Sequence, residues 1–233
     1  PEKAENREMV RLREALKPLL DRGNNKVDAE VAERHWPAIQ RCERALKRYG
    51  DLLPETAEEL WGHLVGACEN IARHADWPSD EKRWKTVRRI LLTAADDRVP
   101  ETLRRDAALG LQLVAFRRGH ADKAISAALR RLCRDQSHSV RLNLAQGLAL
   151  LEKCSPELMW ELIDQLIVNE PEFSVLDTLL GPVSRLLRNS PAKAVQRLRL
   201  IAGLAEQNAP ADNHIHETLA GIYLFEYLRT GDD

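Results

Sequence analysis

Arginine carries most of the chemistry this chain could do. Residues 82–141 hold fifteen Lys and Arg against six Asp and Glu, and several come as neighbours: Arg88-Arg89, Arg104-Arg105, Arg117-Arg118 and Arg130-Arg131, with Arg134 close behind. A guanidinium stays charged at physiological pH and presents a planar fork of N–H donors that matches a carboxylate or a phosphate. Such a band suits an acidic protein surface, or phosphates bound with steep salt dependence. The plainer alternative is a solvated helix exterior, with Arg chosen for helix propensity. The net charge of -1 falls short of the basic footprint of a nucleic-acid module, which puts a protein partner ahead of nucleic acid.

Other clusters are thinner. His214-x-His216-Glu217 is the one His/Glu cluster, and it reads as the polar start of a helix. His63 and Cys68 do not make a persuasive ligand pair, and Cys42, Cys68, Cys133 and Cys154 lack any C-x-x-C spacing. Free thiols in a reducing compartment are expected. The acid pairs Glu58-Glu59 and Asp96-Asp97 fall at helix ends, where capping or exposure accounts for them. No Gly-rich phosphate loop, G-x-S-x-G elbow or H-E-x-x-H is present. Metal, cofactor and catalytic residues are therefore expected to be none.

The elements that must position these groups are helices. Apolar residues recur at steps of three and four almost everywhere, without sustained alternation. The spacing predicts helices near 4–21, 28–49, 55–75, 80–96, 101–118, 121–134, 138–153, 156–168, 172–188, 191–207 and 213–229. Ser155-Pro156 and Ser190-Pro191 place a hydroxyl at the N-cap and proline at the first helical position. Ser79-Asp80-Glu81 puts acids at a positive helix end, and Gly50 and Gly119 sit where helices should stop. A kink or break is expected at Pro37 and at Gly181-Pro182. Trp36, Trp61 and Trp84 fall on apolar stripes and read as core, whereas Trp77-Pro78 reads as an exposed loop.

Composition, at 44% hydrophobic and 30% charged over 233 residues, is that of a folded protein. Apolar runs such as Ile90-Leu91-Leu92 fall far short of the roughly 20 residues that cross a bilayer. A cytoplasmic chain without membrane contact is expected. The charged start after Pro1 suggests a piece of a larger protein.

The chain also repeats. Asp135 through Leu148, with Val140, Arg141, Ala145 and Gly147, aligns with Asp97 through Leu111, where Leu103, Arg104, Ala108 and Gly110 take the same places at a step of 37 residues. A third copy starts at Val175, and weaker ones lie at Leu60 and Ile215. The pattern Asp-x-x-x-x-Val-Arg-x-x-x-Ala-x-x-Leu resembles the HEAT-repeat signature. That resemblance implies a right-handed, armadillo-like α-solenoid of about five helix pairs, HEAT-like over 55–229, with 1–50 as an irregular N-terminal pair or cap of one single domain. It also implies an Asp/Arg ladder between successive turns, carried over to Asp135 and Arg141 and to Asp97 and Arg104, and lapsing at Leu176.

On this reading the chain is a non-catalytic scaffold or sensor. Its partner is expected to be another protein or another region of the parent polypeptide, bound on the concave face lined by the second helix of each pair. The candidate contacts are Arg104, Arg105, Arg117, Arg118, Arg130, Arg131 and Arg134. Nucleic-acid binding by the same band is the first alternative. HEAT-like DNA glycosylases are similar in length and use aromatic residues, but the likeness stops at fold class; HEAT-like iron hydroxylases need several His-Glu pairs, and here there is one.

Overall fold

The computed structural model describes residues 2–20, 27–49, 54–74, 81–208 and 214–231. Among them the chain is all-helical, with eleven α-helices and no strand. They are α1 (Glu2–Leu20), α2 (Ala29–Tyr49), α3 (Pro54–His74), α4 (Glu81–Ala94), α5 (Glu101–Arg118), α6 (Lys123–Leu132), α7 (His138–Gly147), α8 (Pro156–Asn169), α9 (Phe173–Arg185), α10 (Pro191–Asn208) and α11 (Ile215–Thr230). The helices expected over 138–153 and 172–188 tighten into 3₁₀ turns at Leu148–Lys153 and Leu186–Arg188. Gly50, Trp77, Ser79 and Asp80 lie outside the described residues. No described helix is long and apolar enough to cross a membrane.

The local chemistry explains most boundaries. Gly119 ends α5 at φ 73°, a left-handed conformation that favours glycine, and its N–H bonds Phe116 O. Asp122 caps α6 by accepting from Ala124 N and Ile125 N. Ser155 precedes Pro156 as expected, yet its hydroxyl does not cap α8: Oγ accepts from Ala121 N and donates to Cys154 O, tying two turns together. α2 and α9 run unbroken through Pro37 and Pro182, the sites of an expected kink or break.

The helices pack in two rows. In the odd row α1 meets α3, α3 meets α5, and so on through α7 and α9 to α11, with dense main-chain contact up to α9. The even helices meet one another far more sparsely, and sequence neighbours also touch, with α8 meeting the Leu148–Lys153 turn that follows α7. Small residues permit the odd-row closeness. A Cβ on Gly147 would stand 2.8 Å from both Gln112 Nε2 and Leu109 Cδ1, and one on Gly66 would stand 2.9 Å from Leu20 Cδ2. Buried apolar residues from Met9 to Leu219 form one continuous cluster between the rows. Buried amides fix the odd-row register: Asn70 Nδ2 donates to Leu19 O, and Gln112 Nε2 donates to Ala108 O and Leu144 O.

Long charged side chains bridge the wider spacing of the even row. Glu33 and Glu43 of α2 take Arg83 and Arg89 of α4, and Arg88 of α4 takes Asp122 at the start of α6. Arg130 of α6 takes Glu161 of α8, and Asp164 of α8 takes Arg197 of α10.

Candidate functional site

The turns that enter α5 and α7 are built alike. Arg104, in the first turn of α5, sends Nε and Nη2 to Asp135 at 2.7 and 2.9 Å while Nη1 bonds its own turn at Val99 O. Arg141 repeats this one pair later, with Nε and Nη2 both 2.7 Å from Glu170 and Nη1 on Asp135 O at 2.6 Å. Each acid also accepts the N–H two residues on, from Ser137 at 2.9 Å and from Glu172 at 3.0 Å. The pairs are buried: side-chain exposure is 14% and 3% for Arg104 and Asp135, and 10% and 0% for Arg141 and Glu170. Burial would push the Asp135 carboxyl up, but the Arg104 fork and the Ser137 N–H outweigh it and hold it below its ordinary value.

The ladder joins Asp135, Arg141 and Arg104, three of the four residues named for it, across successive turns. Asp135 serves the preceding Arg104, and Arg141 reaches forward to Glu170, an acid the sequence reading did not single out. Asp96, rather than Asp97, takes the turn position of Asp135, since it accepts from Arg98 N at 3.1 Å. Arg104 is therefore a ladder residue before it is a contact residue.

Six of the seven candidate arginines divide between opposite ends of α5, about 20 Å apart by the helical rise from 104 to 117. At the far end Arg117 donates to Ala72 O and Arg73 O, the last carbonyls of α3, and Arg118 pairs with Glu81. Arg105 pairs with its neighbour Asp106 at 3.2 Å and lies outside both groups.

At the near end Arg104, Arg130, Arg131 and Arg134 line one open pocket of about 650 Å³, with Asp97, Asp135, Ala127 and Gln136. They converge because α6 runs back antiparallel to α5, which brings its C-terminal residues to the turns before α5 and α7. The four guanidiniums differ in how they are neutralised. Arg104 and Arg130 are held bidentately, the second by Glu161 at 2.6 Å on both arms. Arg131 donates Nη2 to Ala95 O at 2.7 Å and makes one 3.2 Å pair with Asp97, whose side chain is 69% exposed. Arg134 has a neutral partner: with the Gln165 amide turned so that its oxygen faces the guanidinium, Arg134 Nη2 donates to it at 2.7 Å. A second hollow shares Arg134 and Asp135 and continues past Gln165, Asn169 and Pro171.

Elsewhere, Trp36 and Trp84 are buried as expected and Trp160 is buried with them, whereas Trp61 is only partly buried. It walls a pocket of about 450 Å³ with Leu46, Ala57, Ile90 and Pro100; two carboxylates also line it, Glu58 and Glu43, the second paired with Arg89. Cys42, Cys68 and Cys133 are buried free thiols and Cys154 is half-buried. Burial pushes the Cys42 and Cys133 thiols up to about 12, leaving them protonated and unreactive at neutral pH. His214 Nδ1 contacts Glu217 at 2.9 Å on the surface, and among the described residues no three His, Cys, Asp or Glu gather as metal ligands. No family model, curated protein or solved structure matches this chain.

Proposed function

We propose that the chain is a right-handed HEAT-like α-solenoid and works as a non-catalytic scaffold, binding an acidic segment of another protein or of its own parent polypeptide. Two features support the solenoid: the stepwise odd row, and a ladder in which the arginines at the HEAT-like positions 104 and 141 each reach the next turn. The observation that carries the binding reading is the convergence of Arg104, Arg130, Arg131 and Arg134 on one open pocket, where Asp97 and Asp135 in the lining and Glu161 behind Arg130 face four guanidiniums. The surface is the edge formed by the turns, not the face of the second helices. Amide side chains along the adjoining hollow suit the main chain of an extended peptide. Internal pairing of most of the basic band argues against a long track of phosphates, which would need many free cations.

Fluorescence anisotropy with a labelled acidic peptide, alternating Glu and Gly, and with labelled single- and double-stranded DNA and RNA tests this at several salt concentrations. The acidic peptide binds, and Arg130→Glu/Arg131→Glu/Arg134→Glu abolishes binding, while Arg117→Glu/Arg118→Glu at the opposite end leaves it intact. Salt-steep binding of DNA or RNA without the peptide would replace this reading by nucleic-acid binding. Binding of none of the probes would overturn it.

A further inference from the structure

The four pocket arginines are not equivalent, and the difference selects a ligand. Arg104 and Arg130 have both arms of their forks closed on fixed carboxylates. Arg134 Nε and Nη2 both reach the Gln165 oxygen, an uncharged amide, so among the described residues no carboxylate is bonded to this guanidinium. Arg131 lies three residues earlier, on the same side of the chain as α6 ends, and among the described residues its one direct ion pair is the 3.2 Å contact to the well-exposed Asp97, with Asp96 acting on it at longer range. An exposed single-contact pair of this kind is worth little and opens readily. If the Asp97 side chain swings into solvent, neither guanidinium keeps a directly bonded carboxylate, and only the longer-range fields of Asp96 on Arg131 and of Glu161 on Arg134 remain.

That arrangement matches a phosphate monoester better than a carboxylate. A carboxylate is planar, carries one negative charge and is satisfied by one fork. A phosphorylated side chain carries a charge of roughly -1.5 to -2 at neutral pH and offers three acceptor oxygens, enough for two forks at once. A nucleic-acid phosphate is a diester with a single charge, so it does not complete the same balance.

We infer that the pocket between α6 and the turn before α5 binds a phosphorylated serine or threonine of a partner segment, with Arg131 and Arg134 as its two forks and Asp97 as a built-in competitor that the phosphate displaces. This rests on the acidic-segment reading above and narrows it to a modified side chain. It assigns separate roles within one pocket: Arg104 and Arg130 form fixed walls, and Arg131 and Arg134 form the receptor.

The test uses the acidic peptide of the preceding experiment in three forms, with one central residue as Glu, Ser or phosphoserine, titrated against the intact chain by anisotropy. The phosphoserine form is expected to bind about tenfold tighter than the Glu form, as charge-assisted contacts to a second fork require. Arg131→Ala and Arg134→Ala each remove that advantage while leaving the circular dichroism unchanged. Asp97→Asn, which removes the competitor, tightens the phosphoserine peptide by about threefold or more, on the scale of one exposed ion pair. Equal binding of the Glu and phosphoserine forms, still lost in the Arg131 and Arg134 variants, overturns the phosphate selectivity and leaves the acidic-segment reading standing. Binding of neither form overturns both. Inorganic phosphate that displaces the peptide at the peptide's own dissociation constant would show a free-anion site instead, and tighter binding of a single-stranded oligonucleotide would show a diester site; either result overturns the phosphopeptide assignment. A weakening by Asp97→Asn would remove the competitor role.

Discussion

Individual ion pairs in this chain differ in what they contribute, and burial decides which matter. Glu170 is closed off from solvent and held only by Arg141 and its own turn. Arg141→Ala strands that carboxylate, and a loss of about 3–5 kcal/mol in urea unfolding is expected, the usual result of breaking one side of a buried pair. Arg130→Ala, whose pair with Glu161 is 44% exposed on both sides, should cost about 1 kcal/mol or less. Asp122 offers a pH readout. The Arg88 fork, helped by the α6 N–H groups, holds its carboxyl at about 2, below the usual 3.8, against a smaller opposing effect of burial. A depressed carboxyl stabilises the fold above its unfolded value and loses that contribution as pH falls through the folded one. Acid unfolding between about pH 4 and pH 2 should therefore flatten in Arg88→Ala, and the Asp122 carboxyl resonance should titrate near its ordinary value in that variant.

The elements depend on how closely two helices can approach, and glycines report this with opposite signs. Gly147→Ala puts a methyl group against Gln112, which cannot yield without giving up its bond to Leu144 O across the α5/α7 contact. Overpacking of this kind costs about 1–3 kcal/mol and outweighs the gain in helix propensity. Gly203→Ala in α10 meets nothing within 4 Å, so it should stabilise by roughly 0.5–1 kcal/mol. Thermal unfolding of the two variants gives the comparison: a lower midpoint for Gly147→Ala and a higher one for Gly203→Ala. If both rise, the odd row is looser than its geometry implies. The even row has no such constraint, because Arg and Glu side chains span its gaps and tolerate small shifts.

Over the whole molecule, the segmental charge pattern becomes mutual neutralisation. The basic stretch 82–141 lies beside the acidic stretch 142–181, which carries seven acids and one Lys, and beyond it comes 182–201 with five bases and no acid. Packing sets these blocks against each other, as Arg130 with Glu161 and Asp164 with Arg197 show. Stability should be graded in the same stepwise way, since each helix is held chiefly by its neighbours. Amide exchange followed by mass spectrometry is expected to be slowest in α5 and α7 and faster in α1 and α11; uniform protection would count against graded coupling. The eleven helices were legible in the amino-acid sequence, because apolar periodicity and Pro or Gly punctuation act within a few residues and need no distant partner. The HEAT-like resemblance further implied a ladder at Arg141, which pairs with Glu170. Glu170 was within reach of the same register, 35 residues beyond Asp135, but an acid at that place needed the turn geometry to be recognised. Packing alone set Arg104 against Asp135, placed Arg117 and Arg118 away from Arg130, Arg131 and Arg134, and put Trp61 in a pocket wall. Those outcomes depend on pairings across 30 to 50 residues, and composition and spacing carry no information about which of several equivalent arginines is left with an uncharged partner.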